Sequence, residues 1–203
     1  MTRETMADVR SFVAVPLPGE LQARVAAVAE ELSRDVALTG VKWSRKAENL
    51  HITLKFLGPV DEEKLATLGA ALERTLASLP RFRLGLGGMG AFPSERHANV
   101  LWAGIDDVDG GLAAVATVVE TVTVGFGFAP EQRPFTGHVT VGRAKGRGVD
   151  ARAALAGFAA RRFGAIVVDE VHIYESRLGR GPNNDGSTYV LRSRAMLGQA
   201  ASN

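Results

Sequence analysis

The sequence predicts an α+β fold with largely antiparallel sheets. Segments with the pattern of β-strands outnumber those with the pattern of helices, and several follow one another without a helix between them. Neighbouring strands joined by a short connection pair antiparallel, whereas strict alternation of strands and helices would predict a parallel sheet. The chain has 203 residues and a hydrophobic share of 46%, which is ordinary for a globular protein. This length fits one domain, or one domain made of two similar lobes.

The first part of the chain predicts one helix between strands. Residues 10–16 form an apolar strand that Pro16 ends. An apolar stripe at helical spacing follows, formed by Leu21, Val25, Val28 and Leu32. A turn then leads to a short strand at 41–43 and to a longer one at 50–57, which Gly58 ends.

A second helix and two strands come next. Asp61 is a good N-cap residue, and Pro80 ends the helix. The apolar stripe of this helix consists of Leu65, Leu68, Leu72, Leu76 and Leu79. Two strands are predicted at 82–88 and 99–105, with a loop at 91–96 between them.

Two further helices flank the next strand. The first opens at Asp109, and its apolar stripe consists of Leu112, Val115, Val118 or Val119, and Val122. A loop rich in Gly and Pro, 125–137, leads to a strand at 138–143. Asp150 then caps a helix that runs to about Phe158.

The last two predicted strands, 166–176 and 188–197, flank a connector at 179–186 whose Gly, Pro, Asn and Asp are typical of a mobile loop. Residues 1–9 and 198–203 are expected to be flexible tails around a single domain. The N-terminal segment is polar, and no apolar run is long enough to span a bilayer. We therefore expect a cytoplasmic protein with no membrane partner.

Two of the four histidines carry a threonine two residues later, each within a strand-like segment: His51 with Thr53, and His138 with Thr140. Residues i and i+2 of a strand point to the same face, so each histidine shares a face with its threonine. A single His-x-Thr is most often an exposed strand pair, whereas two copies in matching contexts favour one shared site. The two copies are separated by a little under half of the chain. This spacing suggests the hypothesis of an internal duplication with one motif strand in each half of the chain.

These residues predict metal-free phosphodiester hydrolysis. Two imidazoles that face one cleft provide acid–base catalysis near neutral pH, because the ordinary pKa of histidine is about 6.5. One of the two catalytic residues, His51 and His138, takes a proton from water while the other gives one to the leaving oxygen. The hydroxyls of Thr53 and Thr140 can donate hydrogen bonds to phosphoryl oxygens. The nearly symmetric sequence leaves open which histidine is the acid.

Arg143 lies five positions after His138 and can hold a phosphate by charge-assisted hydrogen bonds. Strict alternation places Arg143 on the face opposite His138, so it reaches the cleft only if the strand twists or ends first. A solvated arginine at the strand end is the alternative. Further basic residues cluster late in the chain, on either a phosphate-facing surface or a solvated face: Lys145, Arg147, Arg152, Arg161 and Arg162.

Several other classes of protein are excluded. The net charge is only +2, which argues against a polybasic, histone-like protein. There are no cysteines, which excludes disulfides, zinc ligation by cysteine and thiol catalysis. No His-x-x-x-His pair, acidic cluster or G-x-S-x-G elbow occurs, so no metal, other cofactor or serine nucleophile is expected. Residues 85–90 match the dinucleotide pattern G-x-G-x-x-G but lack the required helix directly after it. His97 is expected in a solvated loop, and His172 in a strand with a structural role.

The two motifs and their surroundings resemble those of the two-histidine (2H) phosphoesterases. Within that superfamily, the resemblance is to the LigT-like RNA 2′,3′-cyclic phosphodiesterases, also called 2′-5′ RNA ligases. The resemblance covers nearly the whole chain and is specific at the level of the family. The similar segments are 10–18, 41–58, 90–93, 100–105 and 133–143.

The resemblance implies a bilobal α+β fold in which two sheets face each other across a central cleft, with helices on the outside. It implies hydrolysis of a terminal RNA 2′,3′-cyclic phosphate to a 2′-phosphate without metal. By this resemblance His51 would be the proton donor to the leaving ribose oxygen, and His138 the base that acts on water. Thr53 and Thr140 would bind phosphate oxygens, assisted by Arg143. Weak 2′-5′ ligation is a secondary expectation, and we expect a monomer.

Two features depart from the family pattern. Thr136-Gly137 precedes the second motif where the family often has histidine or proline, and the connector at 179–186 is longer than usual. Candidate base-stacking residues, for which core packing is the competing role, are Phe56, Trp43, Phe135 and Tyr189.

Two alternative functions stay open on this fold. One is hydrolysis of small cyclic nucleotides or ADP-ribose cyclic phosphate. A comparison of rates on RNA ends and on mononucleotides would distinguish this activity from RNA phosphodiesterase activity. The other is a non-catalytic module that binds RNA or nucleotides. The intact histidines and threonines of both motifs argue against a binding module, because binding alone does not need two proton-transfer groups.

Overall fold

The computed structural model describes residues 8–178 and 186–199. Strands and helices occur in this order: β1 (Val9–Pro16), α1 (Gly19–Ser33), β2 (Val41–Trp43), β3 (His51–Val60), α2 (Glu62–Leu76), β4 (Phe82–Ser94), β5 (His97–Asp106), α3 (Gly111–Gly125), β6 (His138–Ala144), α4 (Arg152–Leu155), β7 (Arg162–Val168), β8 (Glu170–Leu178) and β9 (Ser187–Met196). No helix in this described part is long and apolar enough to cross a membrane.

The strands form one antiparallel sheet with the order β7-β4-β5-β6-β3-β1-β8-β9, and β2 pairs with β6. The central strands β3 and β6 share one residue pair, Ile52 with Val139, so the sheet divides there into two halves. One half contains β1, β3, β8 and β9, and the other contains β2, β4, β5, β6 and β7. The predicted α+β class and bilobal arrangement are confirmed, and the two predicted sheets are halves of a single sheet.

The helices join the two halves of the sheet. Helix α2 packs against β9, whereas α1, which follows β1, contacts β6 and β7 in the opposite half. Helix α3, which follows β5, contacts β3 in the opposite half. The buried residues of the three predicted stripes are Leu21, Val25, Val28, Leu32, Leu65, Leu68, Leu72, Leu76, Leu112, Val115 and Val119. They belong to one continuous apolar core.

Two predicted turns are parts of strands. The predicted loop at 91–96 is mostly strand, because β4 runs to Ser94 and β5 begins at His97. Strand β3 continues through Gly58 to Val60, where it pairs with the start of β1. In both places pairing with a neighbouring strand outweighs the turn preference of Gly and Pro, which sequence propensity alone does not reveal.

Two boundaries near the C-terminus also differ from the prediction. The predicted strand at 166–176 is two strands, because the chain passes from one half of the sheet to the other at Asp169. The predicted helix at 150–158 is only the single turn of α4. The N-cap residue of α4 is Ala151 rather than the predicted Asp150, which accepts a hydrogen bond from the backbone N–H of Arg152 at 3.2 Å.

The predicted tails and connector fall partly on residues 1–7, 179–185 and 200–203, which lie outside the described residues. The described ends belong to the fold. Val9 pairs with β3, and the backbone N–H of Gly198 donates to the carbonyl of Leu79 at 2.8 Å.

Candidate active site

The two His-x-Thr motifs occupy the point where the halves of the sheet meet. Their middle residues, Ile52 and Val139, form the single pair between β3 and β6, and both side chains are fully buried in the core. Successive side chains of a strand point to opposite faces, so the histidines and threonines lie on the other face of the sheet. Antiparallel pairing about Ile52 and Val139 relates the motifs by an approximate twofold axis. The structure thus brings the two motifs side by side.

Each motif strand contains a β-bulge directly after its threonine. Leu54 in β3 and Val141 in β6 are the extra residues, without a partner in the register with β1 and β5 respectively. A bulge shifts the alternation of side chains by one residue. The residue five positions after each histidine therefore returns to the face of the histidine. These residues are Phe56 and Arg143, and the bulge is the reason why Arg143 reaches the cleft.

Both histidines are oriented by the carbonyl two positions upstream. Nδ1 of His51 lies 2.7 Å from the carbonyl oxygen of Asn49, and Nδ1 of His138 lies 2.7 Å from that of Thr136. A carbonyl only accepts hydrogen bonds, so Nδ1 carries a proton and donates in both residues. Nε2 is left to exchange a proton with a bound molecule. In His51 this atom lies 3.0 Å from Oγ1 of Thr53.

The departure at Thr136-Gly137 leaves this arrangement intact. Thr136 contributes only its backbone oxygen, which any residue supplies. A Cβ atom at Gly137 would lie 2.6 Å from Cδ2 of Leu112 in α3. Glycine therefore lets the segment before β6 pack closely on α3.

Both imidazoles are mainly uncharged at neutral pH in the free site. Burial lowers the pKa of His51 to about 4, the charges of His138 and Arg143 also lower it, and the hydrogen bond to Asn49 opposes the shift. Burial likewise lowers the pKa of His138, as does Arg143, against the hydrogen bond to the Thr136 carbonyl. The larger shift makes His51 the harder of the two to protonate.

Aromatic rings pack against both histidines. Phe12 in β1 stacks on His51 with ring centroids 4.7 Å apart, and Tyr189 in β9 meets the same ring edge-on at 5.3 Å. Phe92 in β4 meets His138 edge-on at 5.0 Å. Sequence reasoning missed Phe12 and Phe92 because strand pairing, rather than chain proximity, brings them to the motifs. These rings contribute to the burial that lowers the two pKa values.

A cleft of about 790 Å³ opens beside the motifs. It is lined by His51, Thr53, Thr140 and Arg143, whereas His138 lies next to them on β6 without lining it. Five further basic residues line the cleft: Arg10, Lys42, Arg45, Lys46 and Lys145. Only Lys145, from the cluster late in the sequence, was predicted as a candidate for a phosphate-facing surface. The five residues come from three separate segments, so no sequence motif marks them as a group.

The four candidate stacking residues have different positions. Phe56 lines the cleft, and 62% of its surface is exposed. Trp43 and Tyr189 also line the cleft, but Tyr189 packs against His51. Phe135 is not among the lining residues. Phe56, whose ring centroid lies 6.2 Å from that of Phe12, is therefore the most exposed aromatic side chain of the cleft lining.

The basic residues that cluster late in the sequence do not form one surface. Arg143 and Lys145 line the cleft, whereas Arg152 and Arg161 form salt bridges with carboxylates at 2.7 and 2.6 Å. Arg162 is on β7, the outermost strand of its half. The cluster in the sequence thus has several separate roles.

The remaining two histidines lie away from the cleft lining. His97 is exposed, as expected, although it begins β5 rather than lying in a loop. His172 is buried; its Nδ1 lies 2.8 Å from the hydroxyl of Tyr174, and its Nε2 lies 3.1 Å from a carboxylate oxygen of Glu170. These contacts agree with a structural role for His172.

Within residues 8–178 and 186–199, no group of three or more His, Asp and Glu side chains is placed to hold a metal ion. The metal-free reaction remains a prediction, which a chelation experiment tests.

Uncharged imidazoles, threonine hydroxyls and an arginine beside one cleft form the kind of site that an acid–base phosphoesterase uses. Comparison with known proteins agrees with this class. Residues 15–102 match the model of a family described as LigT like phosphoesterase. An RNA 2′,3′-cyclic phosphodiesterase of Aeropyrum pernix is 38% identical over 72% of this chain and 81% of its own length. One of Archaeoglobus fulgidus is 33% identical over 86% and 95%. The chain therefore belongs to the LigT-like phosphoesterases, as its motifs predict.

Solved structures of the same family share the fold. The structure of E. coli LigT complexed with 3′-AMP superimposes with a TM-score of 0.73 and 26% identity, over 94% of this chain and 98% of the other. The structure of the same protein complexed with phosphate gives a TM-score of 0.69 at 26% identity, over 95% and 99%. The agreement extends over both halves of the sheet.

Proposed function

We propose that this chain hydrolyses the terminal 2′,3′-cyclic phosphate of RNA to a 2′-phosphomonoester. The observation that carries the proposal is the twofold-related pair of histidines, each with Nδ1 held by a backbone carbonyl and Nε2 left for proton exchange. The relatives named RNA 2′,3′-cyclic phosphodiesterases support RNA as the substrate.

In the proposed reaction, Nε2 of His138 accepts a proton from a water molecule while the water oxygen attacks phosphorus. The bond between phosphorus and the ribose O3′ breaks, and O3′ takes the proton from Nε2 of His51. The phosphate stays on O2′. Afterwards His138 is protonated and His51 is neutral, and exchange with solvent restores the starting state. A ribose 5′-hydroxyl in place of water would form a 2′-5′ linkage by the same step, which accounts for weak ligation.

Thr53, Thr140 and Arg143 would bind the phosphate. Both hydroxyls can donate to its non-bridging oxygens, and the guanidinium offsets the negative charge that develops on them. In the free site Oγ1 of Thr53 is hydrogen-bonded to Nε2 of His51. The threonine is therefore in contact with the group that delivers the proton.

The role of His51 as the acid couples substrate binding to proton uptake. In the free site its pKa is about 4, so its protonated form is rare at neutral pH. A phosphodiester anion beside the imidazole raises this pKa, because an opposite charge favours the imidazolium. The substrate thus promotes protonation of the residue that acts as its acid.

The test is hydrolysis of a short RNA that ends in a 2′,3′-cyclic phosphate, in excess EDTA, with identification of the product isomer. We expect the 2′-phosphate. Turnover that requires a divalent metal would refute the metal-free mechanism, and a 3′-phosphate product would reverse the assigned leaving oxygen. A parallel assay with 2′,3′-cyclic AMP tests the alternative of a hydrolase for small cyclic nucleotides.

A further inference from the structure

The cleft carries a strip of basic residues that the proposed reaction does not use in full. We call Arg10, Lys42, Arg45, Lys46, Arg143 and Lys145 the basic strip. No acidic residue of the described chain lines the cleft with them. Only Arg143 has a role at the reacting phosphate. The proposed reaction therefore gives no function to the other five positive charges.

The basic strip differs from basic residues elsewhere in the molecule. No member of it forms a salt bridge within residues 8–178 and 186–199. Several other basic side chains do pair with carboxylates: Arg24, Arg34, Lys55, Arg152, Arg161, Arg177, Arg192 and Arg194. Unneutralised charges collected in one cleft create a positive potential that attracts anions.

The basic strip extends beyond the reach of one phosphate. Lys42 pairs across strands with Arg143, so their side chains are neighbours beside the motif. Lys145 lies two residues beyond Arg143, a further ~7 Å along an extended chain. Arg10 lies on β1 in the other half of the sheet. Together they surround the cleft with charges that a mononucleotide, with one phosphate, cannot contact at the same time.

We propose that the basic strip binds the backbone phosphates of single-stranded RNA upstream of the reacting end. The enzyme then acts on oligonucleotide ends in preference to cyclic mononucleotides. This inference rests on the proposed function and adds the length and charge of the substrate that the cleft selects. An exposed aromatic side chain beside the strip, Phe56, suits the same ligand, since single-stranded binding sites combine basic grooves with stacking surfaces.

The experiment compares the wild type with the triple variant Lys42→Gln, Arg45→Gln, Lys46→Gln. The matched control is Arg74→Gln, Arg81→Gln, Arg83→Gln, which removes the same charge from exposed residues that do not line the cleft. For each protein, kcat/KM is measured between 50 and 200 mM salt on two substrates. One is a ten-nucleotide RNA with a 2′,3′-cyclic phosphate, and the other is 2′,3′-cyclic AMP.

We expect the wild type to prefer the ten-nucleotide RNA and to lose activity on it steeply as salt rises. Loss of three phosphate contacts should reduce the slope of log(kcat/KM) against log[salt] by about 2. Between 50 and 200 mM salt, kcat/KM of the strip variant on RNA should therefore fall by a factor about 20-fold smaller than that of the wild type. The strip variant should lose more activity on RNA than on cyclic AMP, mainly in KM. The control should behave like the wild type.

Other outcomes would overturn the proposal in distinguishable ways. Equal losses on both substrates, or an unchanged salt slope, would show that the strip does not bind upstream phosphates. Competition by ATP as strong as that by an unreactive ten-nucleotide RNA would assign the strip to nucleotide polyphosphates. Competition by an acidic polypeptide but not by RNA would assign it to a protein partner. A wild type inactive on both substrates would instead refute the proposed function itself.

Discussion

The burial of the two histidines determines how activity should depend on pH. Below their pKa values both imidazoles are protonated, and above them both are neutral. Burial lowers the pKa of His51 to about 4 and lowers that of His138 from its ordinary value of 6.5, so the form with one proton exists below pH 6.5. The reaction needs one protonated and one neutral histidine, and kcat/KM reports the free enzyme. We therefore expect kcat/KM to follow a bell with its maximum below pH 6.5 and to fall as pH rises further.

The profile of kcat should extend to higher pH than that of kcat/KM. The bound phosphodiester raises the pKa of the acid, so the complex keeps its proton where the free enzyme has lost it. Initial rates at saturating and at low substrate, between pH 4 and 9, measure both profiles. A kcat/KM that stays level or increases above pH 6.5 would contradict the assignment of a protonated histidine.

Replacement of either motif histidine tests the acid–base pair. We expect His51→Ala and His138→Ala each to lower kcat by about 10²- to 10⁴-fold, because each removes one proton-transfer group. The fold should persist, since both side chains lie on the cleft face. His97→Ala is the matched control, because His97 is exposed and does not line the cleft. Near wild-type turnover in either motif variant, with circular dichroism unchanged, would exclude that histidine as a catalytic residue.

Phe56 tests whether the cleft stacks a base. Stacking on an aromatic ring contributes about 1–3 kcal/mol per base, so Phe56→Ala should raise KM for RNA about 5- to 150-fold. Since Phe56 is largely exposed, stability should change little. Phe56→Tyr should restore KM, and Val167→Ala, an exposed apolar residue on β7, should not affect it. A lowered kcat with unchanged KM would argue against stacking.

Among the structural elements, the bulged strand β3 places a lysine on the core side. Lys55 is buried, and its Nζ donates to Oε2 of Glu120 in α3 at 2.6 Å and to the carbonyl of Ala129 at 2.7 Å. The other carboxylate oxygen accepts from the backbone N–H of Glu131 at 2.8 Å. Desolvation raises the pKa of Glu120, but the contacts with Lys55 and Glu131 bring it below its ordinary value. This ion pair ties β3 to α3 and to the segment before β6.

Removal of Lys55 should therefore destabilise the protein. We expect Lys55→Met to lower the free energy of unfolding by about 3 kcal/mol. This value is the lower end of the range for a buried ion pair that loses one partner, because Glu120 is partly exposed. Urea unfolding measures the change. The matched control is Arg34→Met, which breaks an exposed pair with Glu30 and should change stability by less than about 0.5 kcal/mol. Equal effects of the two substitutions would show that the Lys55 pair has no structural role.

At the scale of the whole molecule, the halves of the sheet are not the halves of the chain. The half with β1 and β3 also contains β8 and β9 from the C-terminal part, and α1 and α3 each contact the motif strand of the opposite half. Neither half has a complete core without these crossing segments. The hypothesis of an internal duplication, with one motif strand in each half of the chain, therefore cannot mean that each chain half folds on its own.

We therefore expect the two halves to unfold together as a single domain. The only two tryptophans of the chain, Trp43 and Trp102, lie in one half, and the only two tyrosines, Tyr174 and Tyr189, lie in the other. Tryptophan fluorescence and tyrosine absorbance should give the same unfolding midpoint, because coincident probes mark a two-state transition. Separate midpoints would indicate that the halves unfold independently.

Sequence patterns predicted the elements and the motifs better than the surroundings of the site. The helical stripes and the His-x-Thr strands depend on local spacing, which the sequence shows directly. The bulges at Leu54 and Val141 depend on register with other strands, and so the position of Arg143 remained open. The packing of Phe12 on His51 and the gathering of the basic strip require the sheet order. The pKa of His51 depends on burial, which no spacing encodes.

The hydrogen bond from each histidine to a carbonyl two positions upstream has a consequence for protein engineering. The tautomer of each imidazole is set by the backbone directly before its own strand and needs no second side chain for its orientation. A six-residue cassette from the histidine to the second residue after the bulge, with the two residues before it, is thus a transferable unit. Grafted onto two adjacent antiparallel strands in this register, such cassettes would carry their reactive nitrogens with them, and only the walls of the cleft would have to be designed.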